Sequence, residues 1–299
     1  MSSSRCRAGG WRPAARARAG PGAGPTGARG GRGAQLGFKR AVLEAAAAGD
    51  AAAVAAAAQA LVAAADGSGS DGRLAVAALA GRWKQVSPPE FPGVGRAADG
   101  RALYTLGRLS FGQFEPAAVR CALDEIVNVS LPLAAAEGGA PASLTWDIDV
   151  LFSVLDGPAA GLRGRMVTHG TATTPGEAEV SEETQRTLRV AFRGGRFEQA
   201  GDPGDPEAAA RWEAAFGAAA RREAARAVGW AERLRTRVGQ GAAAALLGLR
   251  AEAGAEGATQ SYELARAPAG SVDVLFLDAD LRVTRGNRGS LVVATRSEP

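Results

Sequence analysis

The 299-residue sequence predicts a mainly β protein, an antiparallel sandwich or barrel with an N-terminal helical hairpin and an inserted helical segment. Two observations support this fold class. Short apolar-rich segments joined by tight turns follow one another over residues 144–192 and again over residues 272–295, as they do in antiparallel sheets. Residues 38–66 and 206–250 instead place apolar side chains at helical spacing.

Residues 1–37 are expected to form a disordered organelle transit peptide. They contain seven arginines, no acidic residue and no apolar run of the length that a secretory signal needs. A plastid is the first expected destination and a mitochondrion the second, although a merely disordered tail would have the same composition. The rest of the chain keeps 28 basic residues against 31 acidic ones. This mildly acidic body predicts no nucleic-acid partner.

Two short helices are predicted at residues 38–49 and 50–66. Gly49 suits the position after a helix C-terminus, and Asp50 can cap the next helix with its carboxylate. The apolar stripe along these helices is thin, so the hairpin is expected to pack on a larger unit. Its members are Val42, Leu43, Val54, Leu61 and Val62.

The clearest strand is predicted over residues 144–155, where every second side chain is apolar, as in a strand with one buried face. Further strands are predicted at residues 162–168, 187–192, 272–277, 281–284 and 290–295. The connections at residues 278–280 and 285–289 are short enough for β-hairpins. Such a succession of strands indicates a sandwich or a barrel.

The helical insertion at residues 206–250 differs from its flanks. Trp212 and Phe216 recur at a spacing of four, as do Trp230 and Leu234, so each half has one apolar stripe. Residues 211–237 hold seven arginines against three glutamates. The favoured interpretation is a lid helix packed on the end of the β domain, with a solvated basic face. The alternative is a helix lying on an anionic lipid surface with its aromatic side chains inserted.

Residues suited to catalysis or metal binding are scarce. His169 is the only histidine, has no Gly-x-Ser-x-Gly motif to accompany it, and is expected in a partly exposed turn. Of two cysteines, Cys6 lies in the transit region, which leaves Cys121 without a partner for a disulfide or a cysteine zinc site. Asp278 and Asp280 are explained by a hairpin turn. The sequence therefore predicts no catalytic residues, no cofactor and no metal.

Three segments resemble the plastid lipid-associated proteins, or fibrillins. Residues 274–293 (VLFLDADLRVTRGNRGSLVV) are similar to the closing signature of that family, with Phe276 in place of its usual tyrosine. Residues 79–83 (LAGRW) resemble its Leu-x-Gly-x-Trp entry strand, and residues 106–116 (LGRLSFGQFEP) its middle segment. The resemblance covers about residues 38–296 and leaves residues 211–266 unmatched.

The resemblance implies a lipocalin-like β-barrel over residues 79–296. It also implies a plastid protein of plastoglobules or thylakoids that binds or organises lipids, carotenoids or prenylquinones without catalysis. The partners would be lipids or isoprenoid molecules and the surface of a membrane or lipid droplet. The alternative is a scaffold that binds enzymes of prenyl-lipid synthesis through the barrel rim or through the Trp212/Trp230 helix. An enzyme built on the same barrel is the least favoured class.

In such a barrel, alternate residues of each strand would line the interior and contact an apolar ligand. The predicted ligand-contacting residues are Trp83, Phe111, Phe114, Trp146, Ile148, Val150, Phe152, Phe276, Arg282 and Arg285. Val274, Leu281 and Val283 are further candidates for the lining. Arg282, Arg285 or Arg288 is expected to stack on Trp83 at the closed end. A barrel filled solidly by these same side chains is the alternative.

Overall fold

The computed structural model describes residues 30–66, 74, 76–89, 93–133, 143–174, 186–202, 204–222, 258–264 and 269–298. Its helices are α1 (Gly30–Ala47), α2 (Ala51–Asp66), α3 (Leu106–Leu109) and α4, described over residues 206–222, with a 3-10 turn at Val76–Leu79. Its strands are β1 (Gly81–Gln85), β2 (Gly95–Arg96), β3 (Ala102–Thr105), β4 (Arg120–Ser130), β5 (Ser143–Thr145), β6 (Asp147–Val154), β7 (Arg163–Thr173), β8 (Thr187–Ala200), β9 (Gln260–Glu263), β10 (Ala269–Leu277), β11 (Leu281–Gly286) and β12 (Leu291–Ser297).

The strands of the described residues form one antiparallel sheet. Its order is β1-β12-β11-β10-β8-β7-β6-β4-β3-β2, while β5 pairs with β7 and β9 pairs with β8. β1 also pairs with β4, Trp83 lying opposite Asn128, so both edges of β1 are hydrogen-bonded. The prediction of a mainly antiparallel β protein with few helices is confirmed. No helix in the described ranges is long and apolar enough to cross a membrane.

The helical hairpin has the predicted turn. Gly49 takes a φ of 69°, and the backbone N–H groups of Ala52 and Ala53 each donate to Asp50 Oδ1 at 3.0 Å, which caps α2. The predicted start of the first helix is wrong, because α1 begins at Gly30 and includes residues that were assigned to a disordered leader. The glycines at 30, 31, 33 and 37 conceal this extension, since glycine is a poor helix former.

The hairpin packs on the outside of β10, β11 and β12. Val42, Val54 and Leu61 of the helices form one buried cluster with side chains of these strands. The strand members are Phe276, Leu281, Val283 and Val293. At the turn between β10 and β11, Asp278 Oδ1 accepts hydrogen bonds from the N–H groups of Asp280 and Leu281, both at 2.9 Å. Lys39 Nζ of α1 lies 2.6 Å from Asp278 Oδ2, so an ion pair joins the hairpin to this turn.

The long strands run past the predicted boundaries. β8 continues through Gly194 and Gly195, beyond its predicted end at residue 192. β9 explains why glycine stands there: a Cβ on Gly195 would lie 2.7 Å from the Tyr262 ring, and a Cβ on Gly194 would meet the Tyr262 carbonyl. These glycines therefore permit close approach of a neighbouring strand. The segment predicted as one strand at residues 144–155 is divided into β5 and β6 at Trp146.

A cluster of aromatic rings, here called the ring cluster, fills one part of the core. It consists of Phe114, Phe152, Phe197, Trp212, Phe216 and Tyr262. Trp212 and Phe216 come from α4, and Trp212 is only 3% exposed. The prediction that Trp212 offers a surface to a protein partner is therefore wrong, whereas the interpretation of α4 as a packed lid agrees with its burial. Trp230 lies outside the described residues.

The burial of the Cys121 thiol can be tested through the pH dependence of the protein's stability. Burial, with a smaller contribution from Asp156, raises the pKa of its thiol from 9 to about 12. Between these values the unfolded chain has lost a proton that the folded chain keeps, so stability falls as the pH rises. We expect this loss to reach about 1.4 kcal/mol per pH unit.

The measurement is urea unfolding of the wild type and of Cys121→Ala between pH 8 and 11. Tyrosine ionisation affects both proteins alike and cancels in the difference. We expect the free energy of unfolding of the wild type to fall relative to that of Cys121→Ala as the pH rises above 9. Parallel pH profiles would contradict the assignment of this loss to Cys121.

Candidate ligand-binding cavity

One face of the sheet, here called the cavity face, lines a partly open cavity of about 170 Å³. Six strands supply its walls, together with Trp146 between β5 and β6 and Ser290 just before β12. The lining residues are Trp83, Gln85, Ile126, Asn128, Trp146, Ile148, Val272, Arg282, Thr284, Gly286, Ser290, Val292 and Ala294. Ile148 also packs against the buried clusters on either side of it. The cavity is thus continuous with the main core.

Strand alternation selects these residues along β11. Arg282 and Thr284 point to the cavity, whereas Leu281 and Val283 point the other way and pack under the helical hairpin. β10 does not keep a single alternation, because a bulge shifts its register between Val274 and Phe276. The bulge turns Phe276 to the hairpin side, while Val274 stays buried beside Trp146.

Arg282 is the most unusual residue of the site. It is 2% exposed, and its guanidinium carbon lies 5.0 Å from the ring centroids of both Trp83 and Trp146. Its Nε and Nη1 are buried and have no hydrogen-bond partner among the described residues. Burial, aided by the charge of Arg296, lowers the pKa of Arg282 to about 9. The guanidinium is therefore still cationic at neutral pH.

Arg296 also stacks on Trp83. Its guanidinium carbon lies 4.3 Å from the ring centroid, and its nitrogens donate to the carbonyls of Ala279, Ala80 and Ala78 at 2.7 to 3.0 Å. Trp83 Nε1 donates to the carbonyl of Leu79 at 2.8 Å. These bonds tie the end of β12 and the 3-10 turn to the indole. Arg296 is thus a structural arginine with its donors satisfied.

The predicted stacking of an arginine from the C-terminal strands on Trp83 is confirmed for Arg282. The stacking of Arg296 on the same ring was not predicted. The missed signal is register: Arg296 lies directly opposite Trp83 in the β1–β12 pair. Arg285 and Arg288 are exposed and do not line the cavity. Arg285 Nε instead lies 3.8 Å from Asp273, on the outer side of β11.

Of the ten predicted ligand-contacting residues, four line the cavity: Trp83, Trp146, Ile148 and Arg282. Phe114, Val150 and Phe152 are buried with the ring cluster instead. Phe276 packs under the hairpin, as do the lining candidates Leu281 and Val283. The placement of Phe111 in the interior is wrong: it is 76% exposed in the connection between α3 and β4, with a φ of 53°.

The polar residues of the lining were not identified from the sequence as a site. Asn128 donates through Nδ2 to the carbonyl of Asp147 at 2.9 Å, and its Oδ1 accepts from Ser130 Oγ at 3.2 Å. Gln85 donates to the carbonyl of Ser87 at 3.0 Å. Both amides are therefore held in place by neighbours. Alternate residues of a strand point to the same face, so Gln85 shares the face of Trp83 and Thr284 shares that of Arg282. This rule would have placed both residues on the cavity face.

No carboxylate lines the cavity within the described residues. His169 lies in β7 rather than in a turn, is 52% exposed, and has Nδ1 3.4 Å from Asp147 Oδ1. The described residues contain no cluster of histidine, cysteine and acidic side chains that could hold a metal ion. The chemistry available in the cavity is apolar contact, indole stacking and one buried cation.

Trp83, Trp146 and Arg282 lie together in this cavity. They come from β1, from the junction of β5 and β6, and from β11, so the fold brings together three distant parts of the chain. Comparison with protein-family models, with curated proteins and with solved structures finds no match to the chain.

Proposed function

We propose that this protein is a non-catalytic binding protein for an amphipathic small molecule, built on a lipocalin-like barrel. The pairing of β1 with both β12 and β4 supports closure, because the eight strands β1, β12, β11, β10, β8, β7, β6 and β4 then follow one another in a circuit. A closed barrel leaves no free edge on these strands, and the side chains of the cavity face then line its interior.

The cavity beside Arg282 is the observation that carries this proposal. Its volume of about 170 Å³ is close to that of an engineered apolar cavity of about 150 Å³ that binds benzene. One ring or a short piece of chain can therefore enter, and the rest of the ligand extends beyond the opening. Burying apolar area against Trp83, Ile148 and Val292 favours binding by about 25 cal/mol per Å².

The resemblance to fibrillins supplies the proposed setting, a plastid protein at plastoglobules or thylakoids. Lipids, carotenoids and prenylquinones are the ligand classes that the resemblance suggests. A cavity that accommodates a single ring or a short piece of chain favours molecules with a compact end group over enclosure of a whole carotenoid. The proposed site of action is the surface of a lipid particle or membrane, where the extended part of such a ligand would remain in lipid.

A scaffold for other proteins is a second candidate, and Phe111 is the observation that favours it. A large aromatic side chain that is 76% exposed, on a non-glycine residue with a φ of 53°, is held outward at an energetic cost. Phe111→Ser should then reduce co-purification of a protein partner and leave ligand binding unchanged. Full co-purification by the variant would remove this candidate.

Ligand binding is tested by filling the cavity. Val292→Phe adds a ring at a lining position, and we expect its affinity for 1-octanol, measured by isothermal titration calorimetry, to fall at least about tenfold. Val94→Phe is the matched control, since Val94 is 48% exposed and lies outside the lining, and it should bind like the wild type. No binding of 1-octanol by the wild type, together with no lipid or isoprenoid in an organic extract of the protein, would contradict the proposed function.

A further inference from the structure

We propose that Arg282 is an anion-binding residue and that the ligand is an amphiphile with a carboxylate head, which enters the cavity and pairs with this guanidinium. The inference rests on the proposed function and specifies the ligand class. Its basis is a buried cation in a cavity, with Nε and Nη1 unsatisfied among the described residues. Buried donors of this kind are normally hydrogen-bonded, and a ligand oxygen would supply what is missing.

Two other arginines show how this fold satisfies a guanidinium that has a structural role. Arg296 donates to three backbone carbonyls. Arg165 donates from Nε and Nη2 to the buried carboxylate of Asp149 at 2.7 to 3.0 Å. Arg282 has neither arrangement in the described part of the chain, although it is more deeply buried than both.

The surroundings of Arg282 compensate its charge only in part. The rings of Trp83 and Trp146 attract the cation but offer it no hydrogen-bond acceptor in the ring plane. The amide of Asn128 is engaged with Asp147 and Ser130, and that of Gln85 with Ser87. The neighbouring charge that lowers the pKa of Arg282, after burial itself, is that of Arg296, which is also positive. The site therefore favours a bound negative charge.

A carboxylate fits this site better than a phosphate. One carboxylate carries a single negative charge and can neutralise one guanidinium with charge-assisted hydrogen bonds. A phosphate monoester carries closer to two charges at neutral pH, which would leave excess charge buried in a mainly apolar cavity. The apolar walls formed by Ile126, Ile148 and Val292 would receive the first carbons of the chain.

The experiment compares ligands with the same chain and different heads. Sodium octanoate, 1-octanol and octyl phosphate are titrated into the full-length protein, and Trp83 and Trp146 serve as fluorescent reporters. We expect the wild type to bind octanoate at least about tenfold more tightly than 1-octanol. Arg282→Met should lose this preference and bind octanoate and 1-octanol with similar affinities, because methionine has no charge to pair with the carboxylate. Arg282→Lys should keep part of the preference.

Arg285→Met is the matched control, because Arg285 is exposed on the opposite side of the same strand. It should retain the full preference for octanoate. Equal affinities for octanoate and 1-octanol in the wild type, or an undiminished preference in Arg282→Met, would overturn the role of Arg282 and leave the proposed function standing. Tighter binding of octyl phosphate would overturn the carboxylate assignment. Failure of all three ligands to bind would instead overturn the proposed function.

Discussion

Arg282→Met is expected to raise the free energy of unfolding by about 1–3 kcal/mol. The wild type buries this guanidinium to 2% exposure, and its Nε and Nη1 have no hydrogen-bond acceptor in the described residues. Methionine fills much of the same volume with no charge to desolvate, and the lost attraction to Trp83 and Trp146 offsets only part of the gain. Urea unfolding at pH 7 measures the difference.

The control for this prediction is Arg285→Met on the outer side of β11. Because Arg285 is exposed, its replacement should change the free energy of unfolding by less than about 0.5 kcal/mol. Octanoate should narrow the gap between the wild type and Arg282→Met, since it stabilises more strongly the protein that binds it more tightly. A lower stability of Arg282→Met without ligand would contradict the prediction and would indicate that the empty protein already compensates the charge.

Phe197→Ala is expected to destabilise the protein by about 3–5 kcal/mol. Phe197 lies at the middle of the ring cluster, with centroid distances of 5.4 Å to Phe114, 5.9 Å to Phe152, 5.1 Å to Trp212 and 5.0 Å to Phe216. Removing its ring leaves a cavity among four other rings and loosens the contact between α4 and the sheet. The effect should appear in urea unfolding as a lower midpoint with little change in slope.

Phe111→Ala removes the same side chain from an exposed position and is the matched control. We expect it to change the free energy of unfolding by less than about 0.5 kcal/mol. Equal losses in the two variants would contradict the placement of Phe197 at the centre of the core. A large loss confined to Phe197→Ala would also identify α4 as part of the folded unit, because Trp212 and Phe216 pack on this ring.

The local features of the fold could be predicted from the sequence. Gly49 and Asp50 determine the helical turn through their own backbone preference and side chain, and both act there as expected. The hairpins around residues 278–280 and 285–289 also depend on short-range chemistry. The alternation from Ile148 to Phe152 correctly indicated one buried face, because the pleat of a strand imposes a period of two.

The remaining features depend on contacts between distant segments. The bulge that turns Phe276 outward has no counterpart in the alternation of β10, so the residue was assigned to the wrong face. Phe111 is apolar, yet it is 76% exposed in a connection between elements, with a φ of 53°. The contact of Arg296 with Trp83 follows from the pairing of β12 with β1, which places the two residues opposite each other. Register between strands, which one sequence does not reveal, decides the cases of Phe276 and Arg296.

The attachment of Lys39 to Asp278 restricts how the chain can be processed. α1 and α2 shield the apolar side chains of Phe276, Leu281 and Val293 from water. A proteolytic cut that leaves this attachment in place must therefore lie upstream of Lys39. A cut downstream of α1 would remove part of this cover and expose the apolar side chains on the strands, and exposed apolar patches promote aggregation.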